Sequence, residues 1–223
     1  MTSRSTVLSS IRRALHVKGD ERIRASIIED RLDRSPKGVV PARGQLDAAG
    51  KLALFIEKAA GVQATVTRVA GVKDVPAEVA RYLREANLPA AVRMGDDQRL
   101  AGMPWAETAL NVTSGRSHGL DLSSVSHAET AVAETGTLGL FSGHQNPTTL
   151  NFLPDNHIVV LNSADIVGDL ESVFVKIRKK YGKGTMPRTV NFITGPSRSG
   201  DIEQTILLGA HGPRALHIVV VEG

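Results

Sequence analysis

The run LHIVVVE, Leu216–Glu222, is apolar at nearly every position. A strand with one face in water alternates apolar and polar side chains. A strand without alternation is buried on both faces, as in a parallel sheet covered on each side. HIVVL, His157–Leu161, reads the same way. Further strands are expected at Ala64–Val69, Ala90–Met94, Thr137–Phe141 and Val190–Thr194. Helical patterns fall between them, at Leu46–Ala60, Asp74–Ala86, Asp165–Tyr181 and Asp201–Leu208. In the first helix Leu52, Phe55, Ile56 and Ala59 share a side; in the second Val75, Val79, Tyr82 and Leu83 do, with Pro76 tolerated in the first turn. Strands interleaved with helices predict an α/β fold with a largely parallel sheet.

An N-terminal arm precedes this alternation. Ser3–Leu15 carries Val7, Ile11 and Leu15 on one stripe, and Asp20–Leu32 carries Ile23, Ile27 and Ile28. The segment SPKGVVPARG, Ser35–Gly44, with two prolines and two glycines, reads as a linker. The expected division is a helical arm and linker over 1–44 and an α/β domain over 45–223. The arm either packs on its own core or clasps a neighbouring copy, so a homo-oligomer stays open.

Residues 1–44 hold ten Lys/Arg against five Asp/Glu, while the rest holds 17 against 18, so the net +4 is carried by the arm. Basic and acidic groups alternate there, and aromatics are only 4% of the chain. That argues against nucleic-acid binding, which uses a basic face with stacking rings. There is no cysteine, which excludes disulfides, thiolate metal sites, cysteine-held iron–sulfur clusters and a cysteine nucleophile in this chain. The seven histidines form no H-x-x-x-H or H-E-x-x-H pair, so no metal site is expected. No apolar run approaches the roughly 20 residues of a spanning helix. The Ser/Arg-rich start, acid-free up to Asp20, faintly resembles a transit peptide but also reads as an amphipathic helix. A cytoplasmic location is expected.

Open α/β sheets bind ligands at the carboxyl ends of their strands, and three segments draw attention. In SHAETAVAETGT, Ser126–Thr137, Ser126 and Glu129 have the spacing of a capping box. Glu134 has no such role; it lies where helix is expected to give way to strand, beside Gly136, with Thr135 and Thr137 adjoining. A carboxylate there suits a nucleophile, a general base or an acceptor for a neighbouring loop. In SGHQNPTTLNFLPDNH, Ser142–His157, turn signals surround His144 and His157. His144 suits a loop-borne acid/base, and His157 suits either orienting a ligand or bonding backbone. The third is TGPSRSGDIEQTILLGAHGP, Thr194–Pro213. Gly195, Ser197, Arg198, Ser199 and Asp201 precede an expected helix N-terminus, a natural anion site, and Arg suits forked contact with phosphate or carboxylate. His211 opens the last strand as a possible acid/base. The spacing is not that of a Walker loop.

AETGT (Ala133–Thr137), LPDNHIVV (Leu153–Val160), GPSRSGDIE (Gly195–Glu203) and GAHGPRALHIVVVE (Gly209–Glu222) occur here in the order seen in LUD-domain proteins. The chain resembles that family, and within it the lactate-utilisation protein C branch; SRSTVLSSIRRAL and VPARG extend the likeness to the arm. Gly200 stands where alanine is usual before DIE. The resemblance implies the three-layer α/β/α sandwich shared with ribose-5-phosphate isomerase, glucosamine-6-phosphate deaminase and the CoA transferases. It also implies a role beside iron–sulfur partner proteins that oxidise L-lactate to pyruvate, with the clusters on the partners and no cofactor on this chain. The CoA transferases of that fold group use a glutamate in a Glu-Asn-Gly turn, to which Glu134-Thr135-Gly136 is similar but not identical.

Three functions compete on this basis. One is an accessory subunit of a lactate-oxidising complex, binding partners or a small anion such as lactate, pyruvate, phosphate or a CoA-like group. Another is a stand-alone acyl- or CoA-transferase-like or sugar-phosphate enzyme using Glu134. The third is a regulatory module that binds a small anion without turnover.

Overall fold

The computed structural model describes residues 3–18, 21–200 and 207–223. Residues 1–39 and 40–223 are separate compact units. In the first, α1 (Ser3–Ala14) and α2 (Arg22–Arg34) bury no residue of their own. Their apolar side chains, Val7, Ile11 and Leu15 on one and Ile23, Ile27 and Ile28 on the other, stay exposed.

The second unit opens with a short 3-10 turn at Ala42–Gly44. Then α3 (Ala48–Gly61) begins where the Asp47 carboxylate accepts a hydrogen bond from the Gly50 amide at 2.7 Å, a side-chain N-cap. The chain continues through β1 (Thr65–Val69), α4 (Val75–Glu85), β2 (Ala91–Met94), α5 (Gln98–Ala101) and β3 (Asn111–Ser114). Next come β4 (Ser123–His127), β5 (Thr130–Val132), β6 (Thr137–Phe141), α6 (Thr149–Phe152) and β7 (Asn156–Asn162). The remainder is β8 (Ile166–Val167), α7 (Leu170–Tyr181), β9 (Val190–Ile193), β10 (Arg198–Ser199), β11 (Leu207–Leu208) and β12 (Ala215–Val221).

Among the described residues six strands form one sheet in the order β1-β12-β7-β4-β2-β3, every neighbouring pair parallel. β12 and β7, the two apolar runs, pair from Ala215 opposite Asn156 to Val221 opposite Asn162. Side chains alternate faces along a strand. Ile158, Val160, Val219 and Val221 therefore meet Val75, Val79 and Leu83 of α4. Val159, Leu161, Ile218 and Val220 meet Phe55 and Ala59 of α3 together with Leu138 and Leu140 of β6. Phe55, Leu138 and Ile218 are fully buried, and each such side chain contributes about 1.5–3 kcal/mol. This is the α/β fold with a largely parallel sheet that the two runs predict. One face is covered by α4. The other is covered by α3 and a second sheet, β8-β5-β6-β9, on which Val173 and Ile177 of α7 pack against Val132 and Phe141.

Local expectations shift where the second sheet forms. Ser126 and Glu129 do not make a capping box. Ser126 lies inside β4 and Glu129 in the two-residue link to β5, because Ser126 spends its hydroxyl on Asn151 Oδ1 at 3.1 Å across the core. Glu134 accordingly sits in a strand-to-strand turn, not at a helix end. The helix expected from Asp165 begins at Leu170, where Asp169 accepts from the Ser172 amide at 2.8 Å. Of the helix expected over Asp201–Leu208, Leu207 and Leu208 pair instead as a strand with Ser199 and Arg198; residues 201–206, and with them Asp201, lie outside the described residues.

The β5–β6 turn rests on α3 through Gly136. Its φ is +67°, and a Cβ there would collide with the backbone of Lys58 and Ala59. Both conformation and space require glycine. Gly136→Ala is expected to lower the unfolding free energy by at least about 2 kcal/mol, read as a lower urea midpoint at unchanged slope. An unshifted midpoint would show that the turn does not bear on α3.

Candidate functional site

The turn Ala133–Gly136 places Glu134 under cover: its side chain is 7% exposed. One carboxylate oxygen, Oε2, lies 3.5 Å from Nε of the exposed Arg43 and has no hydrogen-bond partner among the described residues. From this turn a chain of hydroxyls passes through the buried Thr137 to β9 and the loop after it. Thr135 Oγ1 and Thr137 Oγ1 are 2.7 Å apart, and Thr137 Oγ1 is 2.7 Å from Thr194 Oγ1. Thr194 leads into Gly195, whose φ of +78° and close approach to the Val62 carbonyl again suit glycine. Ser197 then ties two loops: its amide donates to the Pro213 carbonyl at 2.8 Å, and its Oγ accepts from the His211 amide at 3.3 Å. The structure thus strings together the Glu134 turn, the Gly195 turn and the His211 loop. Arg198 is exposed and Ser199 half-buried on β10.

His157 is not part of that string. It is the second residue of β7, opposite Ser124 and Leu216, and is 1% exposed. Its Nε2 lies 3.0 Å from Ser126 Oγ, and its Nδ1 has no partner among the described residues. Burial pushes its pKa down from 6.5 to about 3.

The carboxyl edge of the parallel sheet holds a cavity of about 680 Å³. It opens beyond the ends of β2 and β4, where such sheets bind ligands. Asp97 and Arg99 come from the loop and short helix after β2, Glu129 from just past β4, His144 and Asn146 from the β6–α6 loop, and Lys180 from the end of α7. Gly95 seats that loop, because a Cβ there would strike the Gln145 carbonyl. The His211 loop, by contrast, leads into the amino end of β12, at the opposite edge of the sheet.

Four charges cross the cavity wall in a chain. Asn146 Nδ2 donates to Asp97 Oδ2 at 2.8 Å, and Arg99 forks onto the same carboxylate through Nε at 2.9 Å and Nη2 at 2.6 Å. Arg99 Nη2 also reaches Glu129 Oε1 at 2.7 Å, and Lys180 Nζ reaches Glu129 Oε2 at 2.6 Å. Burial pushes the Asp97 carboxyl up, but hydrogen bonds from Arg99 and Asn146 outweigh it and hold the group well below the usual carboxylate range. Burial likewise raises Glu129, and Lys180 and Arg99 together bring it below its ordinary value. At the end of β4, the His127 Nδ1 donates to the Ala128 carbonyl at 2.8 Å, which leaves Nε2 as an acceptor. Burial first, and then the charge of Arg99, lower its pKa.

Of the residues singled out in the sequence as candidate acid/base groups, His144 is the one that lines this cavity. Asp97, Arg99, Lys180 and the role of Glu129 were missed. The usable signal was GDDQR, Gly95–Arg99, directly after a recognised strand. Among the described residues no group of three His, Cys, Asp or Glu side chains is placed to hold a metal ion.

Residues 122–221 match the family model of the LUD domain, in agreement with the resemblance drawn from the motifs. A lactate utilization protein C from Geobacillus thermodenitrificans is 37% identical over 100 residues, which is 44% of this chain and 42% of that protein. The protein of the same name from Bacillus subtilis is 36% identical over 98 residues, 43% of this chain and 41% of that protein. The alignments therefore span under half the length of these curated relatives, and the family match lies wholly outside the arm. A DUF162 family protein from Deinococcus radiodurans, known from its crystal structure, is similar with a TM-score of 0.57 over 79% of this chain and 99% of that one, at 23% identity. That likeness supports the fold.

The buried His157 gives a pH prediction. The unfolded ring takes up a proton below 6.5 and the folded ring only near 3. Its contribution is therefore whole above pH 6.5 and is lost as pH falls toward 3. His157→Gln keeps a partner for Ser126 without a titrating ring. Between about pH 6 and 4 its unfolding free energy should fall less steeply than that of the wild type, by about 1.4 kcal/mol per pH unit. Equal slopes in urea titrations across that range would show that His157 titrates as it does in the unfolded chain.

Proposed function

We propose that this chain serves lactate utilisation as a non-redox subunit, working in the cytoplasm beside iron–sulfur proteins that oxidise L-lactate to pyruvate. The observation that carries the reading is where the LUD match falls. Residues 122–221 supply every lining residue of the cavity except Asp97, Gln98 and Arg99. The segment that matches the LUD domain therefore supplies most of the cavity lining, and the chain is similar over about 100 residues to proteins named for lactate utilization. The absence of cysteine fits cysteine-held clusters residing on partners. A small organic anion is the natural occupant, with Arg99 and Lys180 as its cations.

A transferase reading has one observation in its favour, the buried Glu134 oxygen without a hydrogen bond. Its burial also works against it, because a nucleophile must reach a substrate carbonyl at bonding distance.

The test is anaerobic purification on a tag fused to this chain from lactate-grown cells, followed by lactate-dependent dye reduction. Iron–sulfur proteins and activity are expected to copurify, and Glu134→Gln is expected to retain both. A protein that comes down alone and inert would sink the subunit reading. Loss of activity in a well-folded Glu134→Gln variant would favour the transferase.

A further inference from the structure

The volume and charge of the cavity narrow the class of its ligand. A space of about 680 Å³ is in the range that buries ligands much larger than a three-carbon acid. Inside, charge is already balanced, since Arg99 and Lys180 offset Asp97 and Glu129. A monocarboxylate entering between the two cations has to displace Glu129. That group is a carboxylate of the same charge, tethered in place and so present at high effective concentration. A phosphate monoester meets the same competitor, but with about −1.5 to −2 charge and three strong acceptor oxygens it competes for the cations better than a single carboxylate does.

The wall on the α7–β9 side supplies matching cations. From Ser172 to Gly200 the chain holds seven Lys/Arg and no acidic residue. Lys180 lines the cavity. Arg188 is exposed and precedes Thr189, which is clasped to the lining residue Ser142. The Ser142 amide donates to the Thr189 carbonyl at 2.9 Å, and the Thr189 amide donates to Ser142 Oγ at 2.8 Å. Arg188 does not itself line the cavity; the clasp places it one residue from the partner of a residue that does. For the organic part, the rings of Phe141 and Tyr181, with centroids 6.2 Å apart, offer apolar surface. Gln98, Gln145 and Asn146 offer amides.

We propose that this cavity takes a phosphate monoester of a polar organic molecule, its phosphate held by Lys180 and Arg188 with Arg99 behind them. The proposal rests on the cavity being the ligand site of the reading above, and is independent of the partners.

Isothermal titration of the full chain tests it. The probes are glycerol 3-phosphate, a hexose 6-phosphate and a nucleoside monophosphate, set against inorganic phosphate, L-lactate and pyruvate. At least one ester is expected to bind about tenfold more tightly than inorganic phosphate and either acid. Arg188→Glu, an exposed change whose folding is checked by thermal unfolding, is expected to weaken that ester about tenfold. Glu129→Gln, which frees Lys180 and removes one of the two carboxylates that hold Arg99, is expected to tighten it. If lactate or pyruvate binds more tightly than every ester, the phosphate proposal falls and the carboxylate reading of the cavity stands. Inorganic phosphate binding as well as the esters overturns the proposal by showing a general anion patch. Ester binding indifferent to Arg188→Glu overturns it as well. If no probe binds, both the proposal and the cavity as the ligand site are lost, while copurification of partners remains a separate question.

Discussion

Strands β7 and β12 are apolar on both faces and lie side by side near the middle of a parallel sheet. Everything else in the second unit follows from covering them. One face takes α4, whose Val75, Val79 and Leu83 close over Ile158, Val160 and Val219. The other needs more than a helix. There α3 and the second sheet share the work, and Gly136 allows the β5–β6 turn to come down onto the α3 backbone. The remaining freedom lies at the carboxyl edge, where loops after β2, β4 and β6 need not fill a core. That is where the cavity opens.

The cavity wall is held by ions rather than by apolar packing. Asp97 and Arg99 join Glu129, and Glu129 joins Lys180. Three elements far apart in the chain are thereby linked through one carboxylate. Removing one member of such a chain leaves a partly buried charge without its partner, which costs more than the pair contributes. The same arrangement makes Glu129 an internal competitor for any anion that enters, so wall stability and ligand affinity are opposed at one residue.

Other buried polar groups divide by whether their bonding is complete. Under α4, His217 is satisfied on both nitrogens: Nδ1 lies 2.8 Å from Thr65 Oγ1, Nε2 lies 3.1 Å from Glu78 Oε1, and the ring stacks on Tyr82 at 4.2 Å. Arg81 holds the same Glu78. A cluster with every hydrogen bond made reads as structure. Glu134 Oε2 and His157 Nδ1 lack partners among the described residues, and a buried unsatisfied atom calls for a reason beyond packing. For Glu134 the nearest cation, Arg43, is mostly exposed, so the carboxylate depends on a neighbour that solvent can draw away.

By itself the sequence determined the parallel α/β core, because unbroken apolar runs at Ile158–Leu161 and Ile218–Val221 have no stable place except between two covering layers. It also marked most helices, since their apolar spacing is a local property, and it carried motifs similar to those of LUD-domain proteins in the same order. It misread Ser126–Glu134, where the spacing of a capping box concealed two strands, because the partners that decide the matter, Asn151 for Ser126 and Gly139 for the backbone of Glu129, are remote in the chain. The candidate site was legible only in part. His144 and its loop were visible, but Asp97, Arg99, Glu129 and Lys180 each read alone as an ordinary surface charge. Only the tertiary structure brought them onto one wall, because an ion chain is set by the distances between folded elements, and those distances are established once the core has paired β2 with β4 and packed α7 on the second sheet.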